Sequence, residues 1–135
     1  MTVNRKLIST AALLAALPFC TQADAVSELE TRYQDQGAGT FSTAAGEALW
    51  RKPHIDVKTG KERSCTTCHG SDQTKPGQHQ RTGKMIEPMA PSVNPQRLTD
   101  VAKIEKWFVR NCKWTLGREC SAQEKGDVLA FLKNL

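Results

Sequence analysis

The chain has 135 residues and a formal net charge of +5, and 24% of its residues are charged. This length accommodates at most one domain. Its 19 lysines and arginines are spread along the chain without interleaved aromatic residues, a pattern that argues against nucleic-acid binding. Beyond the N-terminal segment, no stretch is long and apolar enough to predict a membrane span.

The N-terminal segment has the pattern of a secretory signal peptide. A short basic region precedes an apolar run, 7–19, that is too short to cross a bilayer. Ala23-Asp24-Ala25 supplies the small residues that a signal peptidase accepts, so we predict a signal peptide over residues 1–25 and one domain over residues 26–135. The bulky Phe19 before Cys20 argues against lipoprotein processing. The predicted location is the periplasm.

Two helices are predicted before the next cysteine, at 27–36 and 43–51. Glycines end the first helix, and Leu49 and Trp50 form the apolar end of the second. The segment 51–64 is polar and turn-rich, and no strand is predicted anywhere in the chain.

The motif Cys65-Thr-Thr-Cys68-His69 is the attachment signature of c-type haem. In this reading the two thiols bind one haem covalently and His69 is an axial ligand of its iron. A thioredoxin-like thiol pair is the main alternative, but that motif follows a strand and none is predicted here. A structural zinc site would need two more ligands at suitable spacing, and Cys112 and Cys120 are too far apart in sequence.

The segment 70–95 contains four prolines and is predicted as a long loop, which favours a chain wrapped around a cofactor. It carries Met85 and Met89, either of which could bind the far side of the iron. His54 and His79 are further candidates. Methionine more often fills gaps in packing, and solvated loop histidines are common, so these four residues stay alternatives.

A helix is predicted over 100–111, capped by Thr99. Its apolar stripe is Ile104, Trp107 and Phe108, and Asn111 is the next position at that spacing. The amide is therefore expected to face the interior, where it needs a polar partner. The alternative is that Asn111 only caps the end of the helix.

The last predicted helix begins near Ser121 with the capping box Ser121-Ala-Gln-Glu124, and its apolar face includes Val128, Leu129, Phe131 and Leu132. The predicted fold class is therefore all-α. A helix ending in Leu49-Trp50, then the haem motif, then a terminal helix is an order that resembles the class I cytochrome c fold around one covalent haem.

The segment "RNCKWTLGRECSAQEKGDVLAFL", with "MAPSVNPQRLTD" upstream, resembles the sphaeroides haem protein (SHP) family of small periplasmic cytochromes c. Cytochrome c″, a relative of that family, has histidine where this chain has Asn111. The resemblance implies that Cys65 and Cys68 carry haem c, that His69 and Asn111 bind its iron, and that Cys112 and Cys120 form a disulfide. It also implies a small gas ligand and redox partners such as a dihaem cytochrome c and a membrane cytochrome b.

Three functions remain open from sequence. The first is a monomeric cytochrome c whose high-spin haem accepts electrons and binds O2 or NO when the distal asparagine leaves on reduction. Such a protein transfers electrons and binds gas, and it could also act as a small terminal oxidase. The second is an ordinary electron carrier with a methionine or histidine sixth ligand. The third is a haem-free thiol oxidoreductase.

Overall fold

A computed structural model describes residues 24–135. Most of the predicted signal peptide, residues 1–23, lies outside the described residues. Within residues 24–135, no helix has the length and apolar character needed to cross a bilayer. The elements in chain order are α1 (Ala25–Asp35), α2 (Thr43–Arg51), β1 (His54–Ile55), β2 (Glu62–Arg63), α3 (Thr66–His69), β3 (Gly77–Gln78), β4 (Met85–Ile86), α4 (Val101–Leu116) and α5 (Ala122–Leu132).

Helix α1 begins at a side-chain cap. The Asp24 carboxylate accepts hydrogen bonds from the backbone N–H groups of Val26, at 3.0 Å, and Ser27, at 2.9 Å. These bonds satisfy two of the four N–H groups that a helix start leaves unpaired. They also lower the pKa of Asp24, the bond from Ser27 being the largest cause.

Helix α4 is longer than predicted. It begins at Val101, and its N-cap is Asp100, whose carboxylate accepts from Lys103 N–H at 2.8 Å. The predicted cap, Thr99, instead donates its hydroxyl to the Gln96 carbonyl at 3.0 Å. The helix continues to Leu116 because no residue before Gly117 interrupts it. Gly117 then ends it with a left-handed backbone, at φ 72°.

Two short hairpins lie in segments that were predicted to be loops, so the expectation of no strands is wrong. β1 pairs antiparallel with β2, and β3 pairs antiparallel with β4. Each strand has two residues. Strands this short give no alternating apolar pattern, and polar turns rather than buried side chains specify them. In the first hairpin, the Asp56 carboxylate accepts from Thr59 N–H at 2.8 Å.

Helices α2 and α5 cross at a point where no side chain fits on α2. A Cβ on Gly46 would collide with the Asp127 carbonyl oxygen and lie 2.9 Å from Phe131 Cβ. Asp127 also strengthens this crossing, because its carboxylate accepts from Ser42 N–H, just before α2, at 2.8 Å. This crossing joins the helix before the haem motif to the terminal helix.

We expect Gly46→Ala to destabilise the protein by about 2 kcal/mol, because the added methyl must push the two backbones apart. This loss should exceed the benefit of about 1 kcal/mol that alanine brings to a helix interior. Urea unfolding of both proteins measures the difference.

Gly39→Ala is the matched control, because a Cβ there meets only the Gln123 side chain at 3.6 Å. It should leave the free energy of unfolding nearly unchanged. Equal stability of the Gly46→Ala protein and the parent would contradict the packing described for the crossing.

Two core clusters fill the spaces between the helices. The first core cluster is Val26, Leu29, Tyr33, Ile104 and Leu129, and the second is Trp50, Val128, Phe131 and Leu132. Leu98 and Phe108 pack against both clusters. Leu98 reaches this position with a φ of 60°, and among the non-glycine residues that the structure describes no other has a positive φ. Packing on two sides offsets the cost of that backbone conformation.

A buried polar network fixes α4 against its neighbours. Tyr33, fully buried on α1, donates its hydroxyl to the Glu105 carboxylate on α4 at 2.5 Å. Lys125 on α5 donates to the other oxygen of Glu105 at 2.8 Å. Burial, and then the bond to Glu105, raise the pKa of Tyr33. Through Glu105, these two bonds hold α4 against α1 and α5.

Candidate haem site

The attachment motif occupies a single helical turn. Helix α3 starts after Cys65 and ends at His69, and Gly70 turns the chain away with a φ of 73°. His69 N–H donates to the Cys65 carbonyl at 3.1 Å, so the three motif residues lie on consecutive parts of one turn. Before this turn, Ser64 N–H donates to the Thr67 hydroxyl at 2.9 Å. A turn of this kind holds two thiols and an imidazole in fixed relative positions.

Strand β3 packs directly on the back of this turn. A Cβ on Gly77 would collide with the Cys68 carbonyl oxygen and approach His69 Cα to 2.8 Å. Only glycine lets the two backbones come this close. The β3–β4 hairpin therefore lies directly against the backbone of the attachment turn.

Both motif cysteines are free thiols and partly buried. Cys65 packs against the second core cluster, and burial raises the pKa of its thiol to about 11. A thiol oxidoreductase needs the reverse, a thiol with a lowered pKa near a positive charge or a long helix start. This geometry disfavours the thiol-exchange alternative. Among residues 24–135, moreover, no three His, Cys, Asp or Glu side chains gather as a metal cluster, so zinc lacks a ligand set.

His69 lies in a pocket that keeps its imidazole neutral. Its ring centroid is 5.1 Å from that of Trp50, and its Nδ1 atom is buried without a hydrogen-bond partner. Burial, and then the positive charge of Arg97, lower the pKa of His69 to about 4. Neutral imidazole is the form that binds metals. Burial of Nδ1 leaves Nε2 as the nitrogen for an iron, so these residues fit a covalent haem with His69 as ligand.

Arg97 is a charged neighbour of His69 that sequence reasoning missed. Its guanidinium donates to the backbone carbonyls of Pro88, at 2.8 Å, and Glu87, at 2.6 Å. Burial lowers its own pKa. The contacts tie the end of the proline-rich segment to the chain that leads into α4.

Asn111 lies within α4 rather than at its end, so the helix-cap alternative is wrong. The expected burial of its amide is also wrong for the polypeptide, where Asn111 is exposed and Trp107 is 45% exposed. The core-facing stripe of α4 is instead Ile104, Phe108, Cys112 and Thr115. Trp107 follows Ile104 by three residues, and Asn111 follows Phe108 by three, which puts each about 60° around the helix from that member of the stripe. They form an accessible flank beside the core.

Helix α4 is linked to the attachment turn through the second core cluster. Phe108 in α4 and Cys65, which precedes α3, both pack against this cluster. The first hairpin adds another link, because Arg63 donates to the Trp114 carbonyl at 3.0 Å and lies 4.6 Å above the Trp114 ring. No hydrogen bond joins His69 to Asn111 among residues 24–135.

The four alternative ligands occupy different surroundings. Met85 is 67% exposed on β4, and His79 is tied to its own turn because its Nδ1 accepts from Thr82 N–H at 3.1 Å. His54 lies on β1, and partial burial lowers its pKa. Met89 packs against the second core cluster, as Cys65 does. Of the four, Met89 has the surroundings best suited to a competing ligand.

Cys112 and Cys120 are bonded as a disulfide, with their Cα atoms 5.6 Å apart. Gly117 provides the turn between them, and Arg118 then bridges to Glu124 in α5 at 2.7 Å. The hydrogen bond from Arg118 is the largest cause that lowers the pKa of Glu124, to about 2. The Ser121–Glu124 capping box is present as predicted. The residue after Asn111 is thus covalently anchored to the start of α5.

We expect the double variant Cys112→Ala/Cys120→Ala to lose about 2.5 kcal/mol of unfolding free energy, the chain-entropy value for a loop this short. Guanidinium unfolding in the absence of reductant measures the loss. Reductant should lower the stability of the parent and leave that of the variant unchanged, which serves as the internal control. A parent that is insensitive to reductant and as stable as the variant would show that the disulfide contributes nothing.

Comparison with known proteins gives consistent matches. Residues 36–132 match the family described as "Domain of unknown function (DUF1924)". The chain is 43% identical over 109 residues to the cytochrome c-type protein SHP of Cereibacter sphaeroides, which covers 78% of this chain and 81% of that protein. It is also 42% identical over 74 residues to cytochrome c″ of Methylophilus methylotrophus, covering 55% of this chain and 51% of that protein.

Solved structures agree with these relatives. The structure of oxidised SHP, described as an oxygen-binding cytochrome c, has a TM-score of 0.74 at 40% identity and covers 84% of this chain and 100% of its own. Oxidised cytochrome c″ has a TM-score of 0.70 at 31% identity, covering 81% and 93%. The predicted cytochrome c fold and haem c cofactor are thereby confirmed. This chain therefore belongs to the SHP family of cytochrome c-type proteins.

Proposed function

We propose that this protein is an exported monohaem cytochrome c that accepts electrons and binds a diatomic gas, O2 or NO, in its reduced state. The observation that carries the proposal is the position of Asn111: an amide on the accessible flank of α4, anchored by the neighbouring disulfide. The SHP relative described as an oxygen-binding cytochrome c supports the same reading.

In this proposal the attachment turn holds the cofactor. Cys65 and Cys68 provide the two thioether bonds, and His69 binds the iron through Nε2. A haem c held here supplies a redox-active iron with one further position for a ligand. Trp50 packs beside the imidazole, with ring centroids 5.1 Å apart, and limits its rotation.

Asn111 is proposed as the ligand at that further position in the oxidised protein. An amide oxygen is a hard, weak donor, which suits ferric iron better than ferrous iron. Reduction of a haem held here would therefore weaken its bond to Asn111, and a gas ligand would bind beside Trp107 and Phe108. Since Cys112 is covalently fixed, the helix stays in place and only the Asn111 side chain needs to move.

The proposed setting is the periplasm, with residues 1–25 removed on export. Electrons come from a redox partner protein, such as a dihaem cytochrome c or a membrane cytochrome b. The protein acts as a monomer, and gas binding with electron transfer is its main role rather than turnover of a substrate.

An ordinary electron carrier is the alternative, and one observation favours it. Met89 packs against the same core cluster as Cys65, which brings a thioether near the attachment turn. A methionine bound to ferric iron would keep the site closed in both oxidation states.

Visible spectra of the purified protein separate the two functions. We expect a high-spin ferric spectrum, and after reduction a spectrum that changes when carbon monoxide is added. A methionine–iron band in the ferric protein, with no effect of carbon monoxide on the reduced form, would contradict the gas-binding proposal. Such a spectrum would instead identify an electron carrier.

A further inference from the structure

Three buried polar atoms near the attachment turn lack hydrogen-bond partners. They are Trp50 Nε1, His69 Nδ1 and Gln73 Oε1. Gln73 is 4% exposed and lies four residues after His69, whose ring is next to that of Trp50. A buried polar group without a partner costs about 1–3 kcal/mol, so three such atoms on residues of this region indicate an interaction that forms in the haem-bound protein.

Hydrogen bonds of its side-chain amide and of its backbone carbonyl hold Gln73 in place. Its Nε2 donates to the Gly70 carbonyl at 3.0 Å, which folds the side chain back toward the residue after His69. Its backbone carbonyl accepts from Met89 N–H and Ala90 N–H, each at 3.0 Å. Oε1 is the one polar atom of this side chain that remains unused.

The chemistry of the three atoms determines which can pair. A His69 that binds iron through Nε2 carries its hydrogen on Nδ1 and is therefore a donor there. Trp50 Nε1 is a donor in every state. The Gln73 carboxamide oxygen is then the only acceptor of the three, and its two lone pairs can accept two hydrogen bonds.

We propose that Gln73 is a positioning residue for the haem ligand: its Oε1 accepts the hydrogen of His69 Nδ1, directly or through one water molecule. The inference rests on the proposed role of His69 as iron ligand. A bond of this kind fixes the ring orientation and raises the basicity of the imidazole. A more basic His69 stabilises ferric iron and weakens the ligand on the opposite side, so Gln73 controls how readily Asn111 is released.

Two substitutions at this position make opposite changes. Gln73→Leu removes the acceptor, whereas Gln73→Glu replaces it with a charged and stronger one. We expect the ratio of ferrous to ferric protein at a fixed solution potential to rise about tenfold in Gln73→Leu and to fall about tenfold in Gln73→Glu, which is about 59 mV each way for a one-electron couple. The exposed Gln80 in the β3–β4 turn gives the matched control, Gln80→Leu, with no shift.

Resonance Raman spectroscopy of the reduced proteins provides a second measurement. The iron–histidine stretching frequency should fall in Gln73→Leu and rise in Gln73→Glu. Potentials that shift in the same direction in both variants would indicate a structural effect and overturn the inference. If Gln73→Leu does not fold, Gln73→Glu alone decides, because a potential that does not fall, or a stretch that does not rise, contradicts the proposed bond.

The same spectra separate this inference from the function on which it rests. An iron–histidine band in the parent that is unaffected by either substitution refutes the role of Gln73 and leaves the role of His69 intact. Absence of that band in the reduced parent, together with an unchanged spectrum in a His69→Gly variant, would refute the role of His69 itself.

Discussion

Replacement of both Cys65 and Cys68 by alanine should give a protein with no covalently bound haem. Each thioether bond needs one of these thiols, and no other free cysteine is present among residues 24–135. Denaturing electrophoresis with haem staining, together with mass spectrometry of the intact protein, measures the loss. Each single variant should either lose the haem or retain it through one bond.

The Cys112→Ala/Cys120→Ala protein is the control for general effects of removing cysteines. It should keep the mass of one haem, because in the parent Cys112 and Cys120 are bonded to each other and Cys65 and Cys68 remain free for the cofactor. A parent protein whose mass shows no haem, or a Cys65/Cys68 variant that keeps it, would refute the attachment site.

Asn111→His should convert the ferric haem from high spin to low spin, because imidazole is a stronger ligand than an amide. Asn111→Ala should open the ferric site to water or added anions and change its spectrum. Both proteins should remain folded. Asn111 is exposed within α4, and alanine favours a helix interior. The unfolding free energy of the Asn111→Ala protein should therefore differ from that of the parent by less than about 0.5 kcal/mol.

Met85→Leu and Met89→Leu are the matched variants for the alternative ligands. Met85 is exposed and Met89 is partly buried, and leucine nearly conserves the volume of methionine, so both proteins should fold. We expect their ferric spectra to equal that of the parent. A changed spectrum in either methionine variant, combined with no change in Asn111→Ala, would assign the iron ligand to methionine.

Signals that act over a few residues were sufficient to predict much of the fold. Helix α2 has the predicted bounds, 43–51, and the Ser121–Glu124 capping box is present. Both depend on caps and apolar spacing within one or two turns. The attachment motif is equally local, because its chemistry requires Cys65, Cys68 and His69 at fixed spacing.

Features that depend on neighbours distant in sequence were not predictable. The predicted apolar stripe of α4 includes Trp107 and continues to Asn111, but both residues are exposed in the structure. The core-facing positions are instead continued by Cys112, which the disulfide holds in place, and by Thr115. An apolar stripe alone does not distinguish residues that face the protein core from residues on the flank beside it.

The surroundings of His69 were missed for the same reason. The sequence indicates only that Trp50 belongs to the apolar end of a helix, whereas in the structure its ring lies beside the His69 imidazole. Gln73 is a single polar residue in a proline-rich segment, and nothing in its sequence context indicates burial. Close approach of Gly77 to the attachment turn likewise becomes visible only once the hairpin is in position.

The cap of α1 connects export processing with stability. Cleavage after Ala25 would remove Asp24 and leave a positive α-amino group on Val26, which is buried in the first core cluster. Loss of a cap costs about 1 kcal/mol, and a cation at a helix start costs about 0.3–1 kcal/mol more. Cleavage after Ala23 would keep the carboxylate. The position of a signal-peptidase cut would therefore determine how firmly α1, and with it the Tyr33 contact to α4, is held.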